Sequence, residues 1–189
     1  IAQMKNCLAV EDGAIGVLCA DNHLGYSQPI GAAVAYREHV SPSGVGFDIG
    51  CGNKAVLTDL MVKDVDIPAV MDEIVRRISF GIGRINNEPV DHPVLDEIRN
   101  ANFEPQRALY DLAAQQLGTV GAGNHYVDLF ADEEGRLWVG VHFGSRGFGH
   151  KTASGFLSLA RGGRFDDPAP EGEMMSPPVV FHESSGLGQ

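Results

Sequence analysis

At 189 residues, 43% of them apolar and 21% charged, the chain has enough material for one sizeable core with room for a satellite lobe, in the ordinary range of a globular protein. Its net charge of −11 excludes a generic nucleic-acid binder that works through bulk positive charge, because phosphate contacts need Lys and Arg. No apolar run approaches the roughly 18 residues of a membrane span, no basic-then-apolar signal opens the sequence, and three scattered cysteines (Cys7, Cys19, Cys51) make no disulfide framework, so a reducing, cytosolic setting is expected.

The first fifty residues are punctuated by glycine and poor in helical periodicity. Short buried strands are predicted at 14–19 and 31–36, joined by a long turn-rich loop over 21–31 that carries His23. A third strand is predicted at 54–60. The clearest helix covers 67–79, where Ile67, Val70, Met71, Ile74, Val75 and Ile78 recur at helical spacing behind an Asp66 N-cap and Pro68 in the first turn. A weak helix is expected over 94–99 and a better one over 106–117, with Gly118 as its stop. After the glycine-rich stretch 118–125 comes a hairpin, with strands at 126–130 and 136–142. A last helix is predicted over 151–160, then a loop rich in Gly, Pro and acids over 161–178.

Three clusters carry chemistry. Asp48-Ile-Gly-Cys51 puts a carboxylate and a thiol on one glycine-flanked turn, a hard and a soft ligand for a borderline divalent metal; the same residues also read as a turn former and a small buried side chain. With Glu133 and Glu134 as the hairpin tip, His125 falls directly opposite His142 on one face, which is geometry for a two-histidine site; a one-residue slip separates the two. Gly118-x-x-Gly-x-Gly123 is not in Rossmann order and leads into no helix, so it reads as bare backbone open to phosphate, with Asn124 as a phosphate donor and Asp128 as an acceptor from a base or ribose. Between His142 and Phe165 there is no acid, while Arg146, Lys151, Arg161 and Arg164 all fall there; Arg146 is the phosphate contact that the Ser145-Arg146-Gly147 turn offers. His39, His92 and His182 show no spacing signal and read as surface residues.

Four motifs then occur in order: Asp21-x-His23-x-Gly25 with Pro29-Ile-Gly31; Gly44-Val-Gly-x-Asp48-Ile-x-Cys51-Gly52; Leu117-Gly-Thr-x-Gly-x-Gly-Asn124-His125; and His142-x-Gly-Ser-Arg-Gly-x-Gly149. Together they resemble the RtcB family of RNA ligases across nearly the whole chain. The resemblance implies an α+β fold with mixed sheets and flanking helices, incomplete at both ends, residues 1–189 being the N-terminal portion of a single catalytic domain. It implies a cytoplasmic enzyme of tRNA splicing or RNA repair. Such an enzyme joins an RNA 3′-phosphate or 2′,3′-cyclic phosphate to a 5′-hydroxyl through a guanylylated histidine, with GTP as co-substrate and two Mn²⁺ ions; a helper protein is left as an open partner. By the same resemblance Asp48, Cys51, His125 and His142 are metal ligands, with Cys51 bridging both ions. Asn124, His125, Tyr126, Val127 and Asp128 line the guanylate site. The family usually carries Glu at position 128 and commonly Ser at position 143, where this chain has Asp128 and Phe143. No histidine here fits the guanylylated position or the further histidine ligand, so these residues alone are expected not to ligate RNA. Two other readings stand beside it: a metal-dependent phosphohydrolase with the same ligands, and a non-catalytic RNA- or nucleotide-binding paralogue.

Overall fold

The structure, a computed structural model, describes residues 1–169 and 172–189. In chain order the elements are α1 (Ala2–Leu8), β1 (Ile15–His23), β2 (Ile30–Ala35), β3 (His39–Val40), α2 (Pro42–Val45), β4 (Gly52–Met61), a 3₁₀ turn (Val62–Asp64), α3 (Ile67–Arg77), α4 (Val94–Arg99), α5 (Glu104–Ala108), α6 (Tyr110–Gln116), β5 (Tyr126–Ala131), β6 (Arg136–Phe143), α7 (Arg146–Ala160) and β7 (Phe181–His182). The chain is α+β, as expected. Among the described residues the ladders are antiparallel, with one isolated parallel bridge from Phe80 to Gly121. Among the described residues no helix is long and apolar enough to cross a membrane. Residues 170 and 171 of the predicted 161–178 loop lie outside the described residues.

The contacts divide the chain into two units, Ile1–Phe47 with His150–Gln189, and Asp48–Gly149. In the first, α1 packs on the β1–β2 hairpin. Gly16 lets it approach: a Cβ there would come within 2.3 Å of the Met4 sulfur. The sequence reading has no helix at α1, and the reason is visible. Gln3 sits in the buried stripe beside Met4 and Cys7, only 1% exposed, donating to the Gly25 and Met174 carbonyls and accepting from the Gly25 amide. A polar residue at a core position hides the amphipathic signal of so short a helix. β1 runs on to His23, through residues predicted as loop, by way of an irregularity between Leu18 and His23. His39 and His182 are partners in the two-residue β3–β7 ladder, with ring centroids 5.1 Å apart, and His39 meets Glu11 at 2.6 Å.

The second unit is built on a three-stranded sheet in the order β4-β6-β5. Alternation buries Val127 and Leu137 on one face, while Tyr126, Asp128, Gly140 and His142 share the other. Beside it, Leu95, Ile98 and Ala113 form a core with Tyr110, Leu117 and Phe148 packed against them. α3 begins as expected, the Asp66 carboxylate accepting from the Ala69 amide. The predicted 106–117 helix is instead two: Pro105 starts α5 early, and at Leu109 the amide bonds back only three residues to Gln106, tightening and breaking the run. α7 starts at Arg146 rather than 151. Its early glycines mask it in sequence, yet packing requires them, since a Cβ on Gly147 would lie 2.6 Å from Gln116 Oε1.

Candidate metal centre

Asp48 and Cys51 bracket a four-residue turn closed by the Cys51 amide on the Asp48 carbonyl at 3.1 Å. Gly50 takes φ +70° in its third position, a conformation strained for any residue with a Cβ. The turn opens directly into β4, and the Ser145 amide ties it to the strand beside it through the Ile49 carbonyl. Asp48 then lies so close over Gly144 that a Cβ there would overlap its carboxylate at 2.3–2.5 Å.

The hairpin register differs from the expectation by one residue. Tyr126, not His125, pairs with His142. The cause is the tip: Asp132 pairs with Arg136 by its amide, so the loop holds three residues, 133–135, with Gly135 at φ +76°. By the sheet rule alone this slip separates the two histidines. It does not, because His125 lies just outside the ladder, at the end of the glycine loop, and swings back. Its Nδ1 meets the Val120 carbonyl at 2.8 Å, and its ring centroid is 5.6 Å from that of His142. Val120, 2% exposed, is itself pinned, its amide on the Ser79 carbonyl while the Gly81 amide holds the Gly121 carbonyl.

These links bring three of the predicted ligands, Cys51, His125 and His142, into one cluster, with the fourth, Asp48, against His125. Cys51 Sγ is 3.0 Å from His142 Nε2 and 3.7 Å from His125 Nε2, and Asp48 Oδ2 is 2.8 Å from His125 Nε2. The ligand atoms of Cys51, His125 and His142 all lie within 4.8 Å of one another. A carbonyl can only accept, so Nδ1 of His125 donates to Val120, which turns Nε2 toward the Asp48 carboxylate and the Cys51 sulfur. Three Lewis bases converge on one space. That is the chemistry of a cation site, and an S, N, N set with a carboxylate beside it suits a borderline divalent ion. Desolvation of its sulfur, then the hydrogen bond and charge of Asp48, push the Cys51 thiol up to about 11, although the residue as a whole is exposed. A dication beside it inverts that preference.

The expected nucleotide residues separate by position. Asn124 is exposed on the glycine loop, whose Gly118, Gly121 and Gly123 all have positive φ. Tyr126 and Asp128 share one face of β5, and Asp128 is exposed, whereas the Val127 side chain is buried on the opposite face and offers a ligand only its backbone. Arg146 is not a free arm on a turn. It adopts φ +55°, its Nε donates to Thr119 Oγ1 at 3.2 Å, and its guanidinium fills the place a Cβ on Gly121 would occupy. Thr119 in turn donates to the Gln116 carbonyl, and Gln116 Oε1 accepts the Gly147 amide at 2.8 Å. Arg146 also lines a mostly apolar cleft of about 330 Å³ with Phe143 and Phe148. Gln116, Thr119 and the Val120 carbonyl escape sequence reading because nothing in their spacing distinguishes them from helix-end residues.

Residues 3–106 and 96–176 match the family described as tRNA-splicing ligase RtcB. The chain belongs to the RtcB family. Among its relatives, the tRNA-splicing ligase RtcB of Archaeoglobus fulgidus is 30% identical over 187 residues, covering 74% of this chain and 39% of the relative. The RNA-splicing ligase RtcB of Escherichia coli is 30% identical over 159 residues, 75% of this chain and 38% of the relative. The tRNA-splicing ligase RtcB of Thermococcus kodakarensis is 29% identical over 217 residues, 88% of this chain and 45% of the relative. This RtcB chain thus spans less than half the length of the relatives it matches.

Proposed function

We propose that this chain forms the metal- and guanylate-binding part of an RNA ligase that joins RNA 3′-phosphate or 2′,3′-cyclic phosphate ends to 5′-hydroxyl ends in tRNA splicing or RNA repair. The observation that carries the reading is the convergence of Cys51, His125 and His142, with Asp48 on His125, in a chain of this family. Asp48, Cys51, His125 and His142 hold Mn²⁺, with Cys51 able to bridge two ions; the metal supplies charge neutralisation and fixed geometry for transfer between anionic phosphates. Asn124 and the face of β5 that carries Tyr126 and Asp128 receive the guanylate of GTP, the bare glycine loop lets backbone amides approach its phosphates, and Arg146 offers a second phosphate contact. The histidine that accepts GMP in the family has no counterpart among the seven histidines of this chain, so ligation needs residues outside it. All three cysteines are free thiols, in keeping with a cytoplasmic setting.

Intact mass of the protein from the complete reading frame, before and after GTP and Mn²⁺, tests the reading. A gain of one GMP is expected, and its loss in a Cys51→Ala variant. No adduct on a folded, Mn²⁺-loaded complete protein overturns the ligase chemistry, and a Cys51→Ala protein that keeps full Mn²⁺-dependent ligation overturns the bridging assignment.

A further inference from the structure

His142 departs from the usual arrangement of a ligating histidine. A metal-bound imidazole ordinarily donates its second N–H to a carbonyl or carboxylate, which fixes its tautomer and tilt. His125 has such a partner in Val120. His142 has none among the described residues: Nδ1 is buried without a hydrogen-bond partner there, while Nε2 faces Cys51 Sγ at 3.0 Å. Its ring has to be held by something else.

The row across the sheet supplies it. Asn53 on β4 and Tyr126 on β5 are the direct ladder neighbours of His142 on the central strand, so all three side chains leave the same face. The Tyr126 ring lies along the His142 imidazole, centroids 5.8 Å apart and planes 20° from parallel. Its hydroxyl donates to Asn53 Oδ1 at 3.0 Å. Phe130 meets the far edge of the same tyrosine at 6.4 Å, 77° from parallel. The phenol therefore starts on one outer strand, spans the central one and is tied to the other.

We propose that Tyr126, strapped by Asn53, is the positioning residue of His142. It sets by stacking and a cross-sheet hydrogen bond the ring orientation that a partner at Nδ1 sets elsewhere. This rests on the metal-centre reading, and it gives Tyr126 a task beyond lining a guanylate site. Stacking confines the imidazole plane; the strap keeps the phenol from turning away and taking the plane with it.

The test is Co²⁺ titration of the chain, followed by the thiolate-to-Co²⁺ charge-transfer and ligand-field absorption, which report sulfur and imidazole geometry independently of any activity. Tyr126→Leu removes ring and strap, and is expected to weaken binding beyond roughly tenfold and to alter the ligand-field bands. Tyr126→Phe keeps the ring, and should bind within roughly 2- to 10-fold of wild type, the net worth of one hydrogen bond. Asn53→Ala, Tyr126→Phe and their double variant should lose the same amount, because all remove one bond. A folded Tyr126→Leu chain with wild-type affinity and spectrum overturns the role. Should that chain not fold, the two single losses adding in the double variant overturn it instead, and equal losses support it. A wild-type chain that takes up no Co²⁺ overturns the metal centre and this role together, so the two failures are distinguishable.

Discussion

At the scale of single residues, the chain sets a thiol beside a carboxylate and so makes it a poor anion until a cation arrives. Cys51 is raised from an ordinary value near 9 to about 11 by desolvation first and by Asp48 next. In the metal-free protein the protonated form is favoured, so the stability tied to this group is full below pH 9 and is lost as pH climbs towards 11; thermal melting across that window should show the decline. Metal uptake has to expel the proton. Affinity for Mn²⁺ should therefore rise about tenfold per pH unit on account of Cys51 alone between neutrality and the pKa of the thiol. Titration calorimetry at pH 7.5 in buffers of different ionisation heat should show about one proton released per chain, and none for Cys51→Ala. An equal proton count in the two chains would place the metal away from the sulfur. The Asp48–Cys51 turn was the most legible part of the site, because its ligands are neighbours in sequence. Asn53 and the Val120 carbonyl were not: they act through a ladder and a loop whose partners lie elsewhere in the chain.

At the scale of elements, the hairpin shows where sequence reasoning succeeds and where it slips. Both strands were readable, the second from its period-two alternation, but the register hung on one residue at the tip. Asp132 governs that tip. Its Oδ1 accepts the Glu134 and Arg136 amides at 3.0 and 2.9 Å, and Oδ2 accepts Arg136 Nε and Trp138 Nε1 at 2.7 and 2.9 Å. These bonds, with Trp138 the largest influence, hold its carboxyl down at about 2. Its support of the turn is thus present above pH 4 and lost as pH falls towards 2. Gly135 completes the three-residue loop at φ +76°, with only Met61 near its missing Cβ, so the cost of a side chain there is backbone strain alone. Gly135→Ala should lower stability by about 1–2 kcal/mol, read from urea midpoints at unchanged slope. No change would mean that the loop has another conformation. The helices tell the same story: α3, with its cap and stripe, was plain, whereas α1 was hidden by a buried glutamine and the start of α7 by glycines that packing demands.

For the whole molecule, motifs that follow one another in sequence are shared between two units. The proposed metal ligands all fall in the Asp48–Gly149 unit, while the Asp21–Gly31 motif belongs to the unit assembled from the two ends of the chain. Pairings such as His39 with His182 are beyond periodicity, since each strand is two residues long. Net charge gives a further constraint. A chain of −11 repels RNA at long range, so on the proposed function any binding would rest on a few cations and on metal. Single-stranded RNA affinity at fixed Mn²⁺ should therefore fall only gently with salt. Arg146→Ala should flatten the log–log slope by about 0.7, the share of one phosphate contact on a single strand. Fluorescence anisotropy over a salt series measures this, and an unchanged slope would remove Arg146 from the interface.

The two histidines at the centre are chemically alike and mechanically different. His142 stands on a strand with neighbours on both sides; His125 stands outside the ladder on a span that includes Gly121 and Gly123. One wall of the proposed site is a sheet, and the other is a loop tied down at its backbone through the Val120 amide and the Gly121 carbonyl. An ion seated there would answer to two kinds of support, a ladder shared by three strands on one side and a glycine-rich span fixed through its peptide groups on the other.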